Sequence, residues 1–174
     1  MIETARLTLC RPVPADWDAF RDFMMSDRAA IFGSHGNLGK SFRSFAAELG
    51  HWEIMGYGMF SVVPKGAERP VALVGPWNPP DWPERELGWM VLDAGVEGKG
   101  IAREAAEGAL GHVWRDLKWD TVVSYIAQGN DRSVALAERL GARLDPDAPG
   151  PEAVGKVVLV YRHPRPDPIR GGLA

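Results

Sequence analysis

Apolar residues recur along this chain in two rhythms, and the switches between them mark its elements. Residues 6–11 alternate, with Leu7 and Leu9 on one side, which predicts a strand ended by Pro12 and Pro14. Trp17, Phe20, Phe23 and Met24 repeat at helical spacing, with Asp16 placed to cap that helix. Phe42, Phe45, Ala46 and Leu49 form a second helical stripe behind Ser41, its predicted N-cap. Between the two helices, glycine at 33, 36 and 39 predicts a flexible loop. From residue 58 the period changes. Strands are predicted over 59–63, 71–75 and 86–92, with a turn at Lys65 and Gly66. Residues 76–83 hold Pro76, Pro79, Pro80 and Pro83, which predicts a long irregular connection carrying Trp77 and Trp82. Ile101, Ala105, Leu110, Val113, Trp114 and Leu117 mark a long helix, and 121–126 reads as a short β-branched strand. Asn130 or Asp131 caps a last helix bearing Leu136 and Leu140, which Gly141 stops before a final strand at 157–161. Residues 164–174 lack any periodic apolar pattern and are predicted to be a loosely held tail on one domain spanning 1–163.

The resulting order is β-α-α-β-β-β-α-β-α-β. Its strands cluster mid-chain, so the expected class is α+β, a mixed sheet with helices packed on it. Composition narrows the function. A length of 174 residues suits one domain, and 45% hydrophobic with 25% charged residues is ordinary globular usage. A net charge of -3 argues against a nucleic-acid partner. The lone Cys10 excludes an intrachain disulfide and a multi-cysteine zinc site, and within a strand it reads as a small buried hydrophobe. Glu3 and Arg6 break any apolar leader, and no apolar run approaches the ~20 residues that span a bilayer. The expectation is a soluble, cytoplasmic chain with no membrane partner. The 20 glycines and 14 prolines are in excess of turn punctuation, which makes their positions informative.

The 86–92 strand runs through Gly95, Gly98 and Gly100 into the helix beginning at Ile101. A helix N-terminus presents unpaired N–H groups and partial positive charge, and glycines let the backbone approach an oxygen-rich ligand. Together they describe a phosphate or pyrophosphate cradle. The spacing supplies neither G-x-x-x-x-G-K-[ST] nor a complete G-x-G-x-x-G, because Arg103 stands at the third glycine position. That disfavours a nucleotide-binding protein. On spacing alone, a plain glycine-rich turn is an equal reading.

Glu97-Gly-Lys-Gly-Ile-Ala102 resembles the [QR]-x-x-G-x-[GA] signature of the GNAT superfamily of acetyl-CoA-dependent N-acetyltransferases, and the chain is similar to its RimJ/RimL-like branch. The opening Thr4-Ala-Arg-Leu-Thr-Leu is similar to that branch's first strand, and Glu86-Leu-Gly-Trp89 to its E-[IL]-G-[YW]. Asn130-Asp-Arg-Ser133 followed by Glu138-Arg-Leu-Gly141 resembles N-x-x-S and E-[KR]-L-G. The resemblance implies a central, mostly antiparallel sheet splayed between the fourth and fifth strands, here 86–92 and 121–126, with helices on both faces. It implies that acetyl-CoA enters the gap, its pyrophosphate on the N–H groups of Gly98, Lys99, Gly100, Ile101 and Ala102, with no metal involved. Glu97 departs from the family's Gln or Arg. A carboxylate there repels pyrophosphate, so either it points away or coenzyme affinity is reduced. Lys99 and Arg103 are the compensating cations, or merely solvated charges at a helix start.

An amine must be neutral to attack a thioester, so a base is expected. Alternation sets Glu86, Gly88 and Met90 on one face of the strand, and the resemblance makes Glu86 the general base, directly or through water; the alternative is a solvated strand-edge glutamate. It also implies an oxyanion-binding backbone N–H near Met90 or Val91. The tyrosine many members use as acid would fall at Ala137, leaving Ser133 as hydrogen-bond donor to the thiolate or, alternatively, as a helix cap. Asn130 fixes the pantetheine arm or the local turn. His35 is a second base or simply exposed. Trp77 and Trp82 wall the acceptor pocket, cap the core or face a dimer partner. The implied acceptor is a small amine or a protein N-terminus, and the chain is a monomer or homodimer. A non-catalytic acyl-CoA-binding module is the competing function.

Overall fold

The chain begins with a two-residue strand, β1 (Ile2–Glu3), that doubles back on β2 (Leu7–Cys10). In the computed structural model, residues 1–32, 35–152 and 157–166 are described; Gly33 and the tail from 167 to 174 lie outside them. Two helices follow, α1 (Trp17–Met24) and α2 (Leu38–Met55). A meander comes next, β3 (Phe60–Pro64), β4 (Ala72–Trp77) and β5 (Glu86–Val91). Then α3 (Ile101–Arg115), β6 (Val123–Ala127), α4 (Asp131–Arg139), β7 (Arg143–Leu144) and β8 (Val158–Arg162) complete the fold. Among the described residues the strands form one sheet in the order β1-β2-β3-β4-β5-β6-β8-β7. All neighbours are antiparallel except β5 and β6, which run parallel and share a single register pair, Glu86 with Val123. The two strands therefore touch at their N-terminal ends and diverge, which is the splay expected of 86–92 and 121–126.

Helices cover both faces. Ala105, Ala109 and Val113 of α3 pack on Leu7, Leu9, Val62, Val74 and Leu87. On the other face Phe20, Phe23 and Met24 of α1 and Phe45 of α2 pack on Met59 and Leu73. Small alanines on α3 let that helix lie close to the strands, and the aromatics of α1 and α2 fill a wider gap, which matters because the candidate site opens on the wider side.

Several local expectations change. The start of α2 is at Leu38, not behind Ser41: the Asn37 side chain accepts the Lys40 N–H at 2.9 Å, and Ser41 is fully buried one turn inside the helix. Gly39 thus belongs to the helix. Asp16 does not cap α1 with its side chain; its carboxylate accepts the Val13 N–H at 3.0 Å and the Ser61 hydroxyl at 2.6 Å. Pro76 and Trp77 belong to β4. Leu87, the register partner of Pro76, turns its carbonyl to β6, so that pair is of the non-hydrogen-bonded kind. On the β3 side the ladder ends at Phe60–Val74, so the missing proline N–H interrupts nothing. Gly75 is needed for contact: a Cβ there would lie 2.9 Å from the Met59 backbone.

Candidate active site

The splay is held shut at one end. The Ser124 hydroxyl donates to the Leu87 carbonyl at 2.7 Å, crossing from β6 to β5. Its single proton is thereby used, so the His163 ring nitrogen 2.9 Å away donates to the same oxygen. Burial pushes His163 down to about 4, which keeps the ring neutral. Arg162, the register partner of Val123, binds Glu84, Thr121 and Asp145 from the same end. Beyond this pin the strands part around a cavity of about 740 Å³.

Glu86 enters that cavity from β5. Its carboxylate accepts the Trp82 indole N–H at 2.6 Å. Burial pushes it up to about 7, against the opposing hydrogen bonds from Trp82 and the Tyr125 backbone. Gly88 shares its face, as the alternation predicts: a Cβ there would sit 3.7 Å from the carboxylate. The bare glycine keeps Glu86 open to the cavity. Met90 lines the same wall.

A second carboxylate faces Glu86, and the sequence reading missed it. Glu48 of α2 lines the cavity, is 7% exposed, and its Oε2 has no hydrogen-bond partner. Burial, and then the charge of Glu86, push it up to about 8. The signal was present. Ser41, Glu48 and His51 are polar residues on the buried side of an otherwise apolar helix face. His51 stacks on Trp77 with ring centroids 4.4 Å apart and accepts the Asn78 N–H at 3.1 Å. Trp77 and Trp82 both wall the cavity.

At the far side of the gap, the Trp89 indole donates to the Ser133 hydroxyl at 3.1 Å. The cap of α4 is Asn130, whose side chain accepts the Ser133 N–H at 3.3 Å. Ser133 is therefore not the capping side chain, and its own hydroxyl proton remains to be donated. Asn130 and Ser133 both line the cavity. Ala137 is fully buried beside Ile126, Ala142 and Tyr161, a place with no room for a tyrosine. Tyr125, also on the cavity wall, accepts the Glu84 N–H at 3.0 Å, and burial pushes its hydroxyl up to about 12.

The glycine turn lies past the end of β5. Gly98 and Gly100 have φ of 72° and 76°, a region L side chains avoid. Nothing lies within 4 Å of a Cβ added at Gly98, so conformation rather than space calls for glycine there. Arg6, paired with Glu104, donates to the Lys99 carbonyl at 3.0 Å and braces the turn from behind. The N–H groups of Ile101, Ala102 and Arg103 open α3 with no carbonyl one turn earlier to receive them. Arg103 pairs with Glu107 at 2.8 Å, one turn along the helix.

Glu97 is already neutralised. Its carboxylate binds Arg28 at 2.5 Å and Arg132 at 2.7 Å. Arg28 also donates to the Val91 and Leu92 carbonyls, each at 2.8 Å. The repulsion expected from Glu97 is thus cancelled by the guanidiniums of Arg28 and Arg132, 69 and 35 positions away along the chain. Since the Leu87 carbonyl faces β6, alternation turns the backbone of Val91 to the gap and that of Met90 to β4. His35 and Cys10 do not line the cavity. Cys10 is half-buried on β2, its thiol 3.7 Å from the Ser61 carbonyl. Among the described residues no three His, Cys, Asp or Glu gather as a metal-binding group, and no helix is long and apolar enough to cross a membrane.

Comparison with known proteins matches residues 6–143 to the acetyltransferase (GNAT) domain. The crystal structure of an acetyltransferase from Agrobacterium tumefaciens is 36% identical, covers 94% of this chain and 93% of its own, and superposes with a TM-score of 0.84. A GNAT-family acetyltransferase from Bordetella pertussis is 25% identical over 94% of this chain and 98% of its own, with a TM-score of 0.76. A spermidine N-acetyltransferase from Vibrio cholerae, solved with CoA and spermine, shares the fold at 17% identity and a TM-score of 0.66, over 91% of this chain and 94% of its own.

Proposed function

The chain belongs to the GNAT acetyltransferase family, and on that premise we propose that it transfers the acetyl group of acetyl-CoA directly to a primary amine, as a member of the RimJ/RimL-like branch. One observation carries this reading: the Glu86 carboxylate and the Ser133 hydroxyl line one cavity in the mouth of the splay. The chain's own groups fit the coenzyme. Gly98 and Gly100 leave the turn without side chains, the N–H groups of Ile101, Ala102 and Arg103 have no intrahelical acceptor, and Lys99 is an exposed cation. With Glu97 held by Arg28 and Arg132, the reason for expecting weak coenzyme binding falls away. Asn130 caps α4 and so holds Ser133 at the gap.

In this reading Glu86 removes the proton that an ammonium must lose, directly or through water. A carboxyl held near 7 is matched to that task at neutral pH. The neutral amine attacks the thioester carbon, the N–C bond forms and the C–S bond breaks. The Val91 N–H faces the developing oxyanion, and Ser133 gives a hydrogen bond to the departing thiolate. The acceptor is a small-molecule amine or a protein N-terminus, and the reaction is cytoplasmic. Free-thiol release from acetyl-CoA with a panel of amines tests the proposal. Amine-dependent release by the wild type, lost in Glu86→Gln, is expected. Release no faster than hydrolysis with every amine, unchanged in Glu86→Gln, overturns it.

A further inference from the structure

The acceptor end of the cavity has a polarity of its own, and it narrows the class of amine that the proposed acetyltransferase accepts. Its deep end is acidic: Glu86 and the buried Glu48 face the same space. Glu48 is not explained by the fold, because its Oε2 is buried without a partner, which is costly unless a ligand supplies a donor. Its entrance is basic. Lys40 and Arg43 of α2 also line the cavity and are exposed. Among the described residues, no carboxylate lies within ion-pair reach of either. Lys40 and Glu48 stand on one helix, so the eight steps from one to the other fix a separation of about 12 Å along its axis. The wall between is apolar, with Phe20, Met24 and Met59.

We propose that the acceptor is a zwitterion: a primary amine whose ammonium docks on the free Oε2 of Glu48 beside Glu86, and whose apolar body ends in an anion at Lys40 and Arg43. An ammonium supplies the donor Glu48 lacks. A carboxylate about three residues away along an extended peptide, at roughly 3.3–3.6 Å per residue, reaches the two cations. The same cations repel a second ammonium, so a polyamine is a poor acceptor. The inference rests on the acetyl-transfer reading for its chemistry but is read by binding, so the two fail separately.

Calorimetry on the full chain with coenzyme A present compares three probes: the tripeptide Phe-Gly-Gly with a free C-terminus, its C-terminal amide, and spermidine. The acid is expected to bind about tenfold more tightly than the amide, with spermidine weakest. In the double variant Lys40→Ala, Arg43→Ala, on an exposed helix face that alanine suits, the acid-to-amide ratio falls to within about twofold. Glu48→Gln weakens acid and amide alike. Equal binding of acid and amide to the wild type overturns the inference, as do tighter binding of spermidine, no binding of any probe, or a ratio untouched by the double variant. If acid preference holds while no amine yields thiol release, it is the transfer reading that fails.

Discussion

Glu86 acts as a base only when ionised, and burial holds its carboxyl near 7. The expected kcat/KM therefore rises tenfold per pH unit below about 7 and flattens above it, with Glu48 extending the curve toward 8. Glu86→Gln is expected to lower kcat by about 10²-fold or more and to abolish that limb; a steady-state pH profile of both proteins checks it. Ser133→Ala removes one hydrogen bond to the leaving thiolate. It is expected to lower kcat about tenfold while leaving the KM for the amine within about twofold, as steady-state kinetics will show. At this scale the sequence was informative about one carboxylate and silent about the other. Glu86 was legible because period-two alternation dictates its face and Gly88 declares that face open. Glu48 was not, since a glutamate on a helix is ordinarily solvated, and only the depth of α2 buries it.

Elements position these groups, and their ends were the hardest to read. Asn37 and Ser41 are both good caps with a helical stripe behind them; the choice fell to Asn37 because its side chain meets the Lys40 N–H. Proline density hid the end of β4, since the tolerance for Pro76 comes from where β3 stops, a long-range fact. The glycine turn was legible, but its partner was not: Arg28, nearly seventy residues upstream, ties the end of β5 to Glu97. The two arginines on Glu97 should differ in worth. Arg28 is 29% exposed and serves a carboxylate and two carbonyls, whereas Arg132 is 85% exposed. Arg28→Ala is expected to cost about 1.5–3 kcal/mol, a few degrees in Tm, and to raise the KM for acetyl-CoA. Arg132→Ala stays within about 0.5 kcal/mol. Thermal denaturation of the two variants side by side decides it, and equal losses would count against a structural role for Arg28.

Across the whole molecule, the sheet must be closed at one end of the splay and open at the other, and each end stores a buried titratable group. Their contributions to stability run in opposite senses. His163 at the pin has a folded value near 4, below the usual 6.5, so the unfolded chain binds the extra proton first as the pH drops. That contribution is whole above 6.5 and is lost between 6.5 and 4. Glu48 and Glu86 are raised to about 8 and about 7 from 4.5. Here the unfolded chain gives up protons first as the pH rises, so stability is lost between 4.5 and 8. From 4.5 to 6.5 His163 offsets only one of the two carboxyl slopes, so as the pH rises Tm should fall gently there and more steeply from 6.5 to 7; it should also fall as the pH drops below 4.5. Glu48→Gln keeps the shape without the charge, and it is expected to reduce the Tm drop between pH 6 and pH 8.5 by on the order of 2 kcal/mol, about 4–8 °C at this chain length. His163→Gln retains a donor for Ser124 and cannot titrate, so it should leave that alkaline drop intact and flatten the acid one. Scanning calorimetry from pH 4 to pH 8.5 on the three proteins separates the limbs. If Glu48→Gln leaves the alkaline drop unchanged, Glu48 is ionised at no cost in the folded chain, and the open end of the splay is wetter than its burial implies.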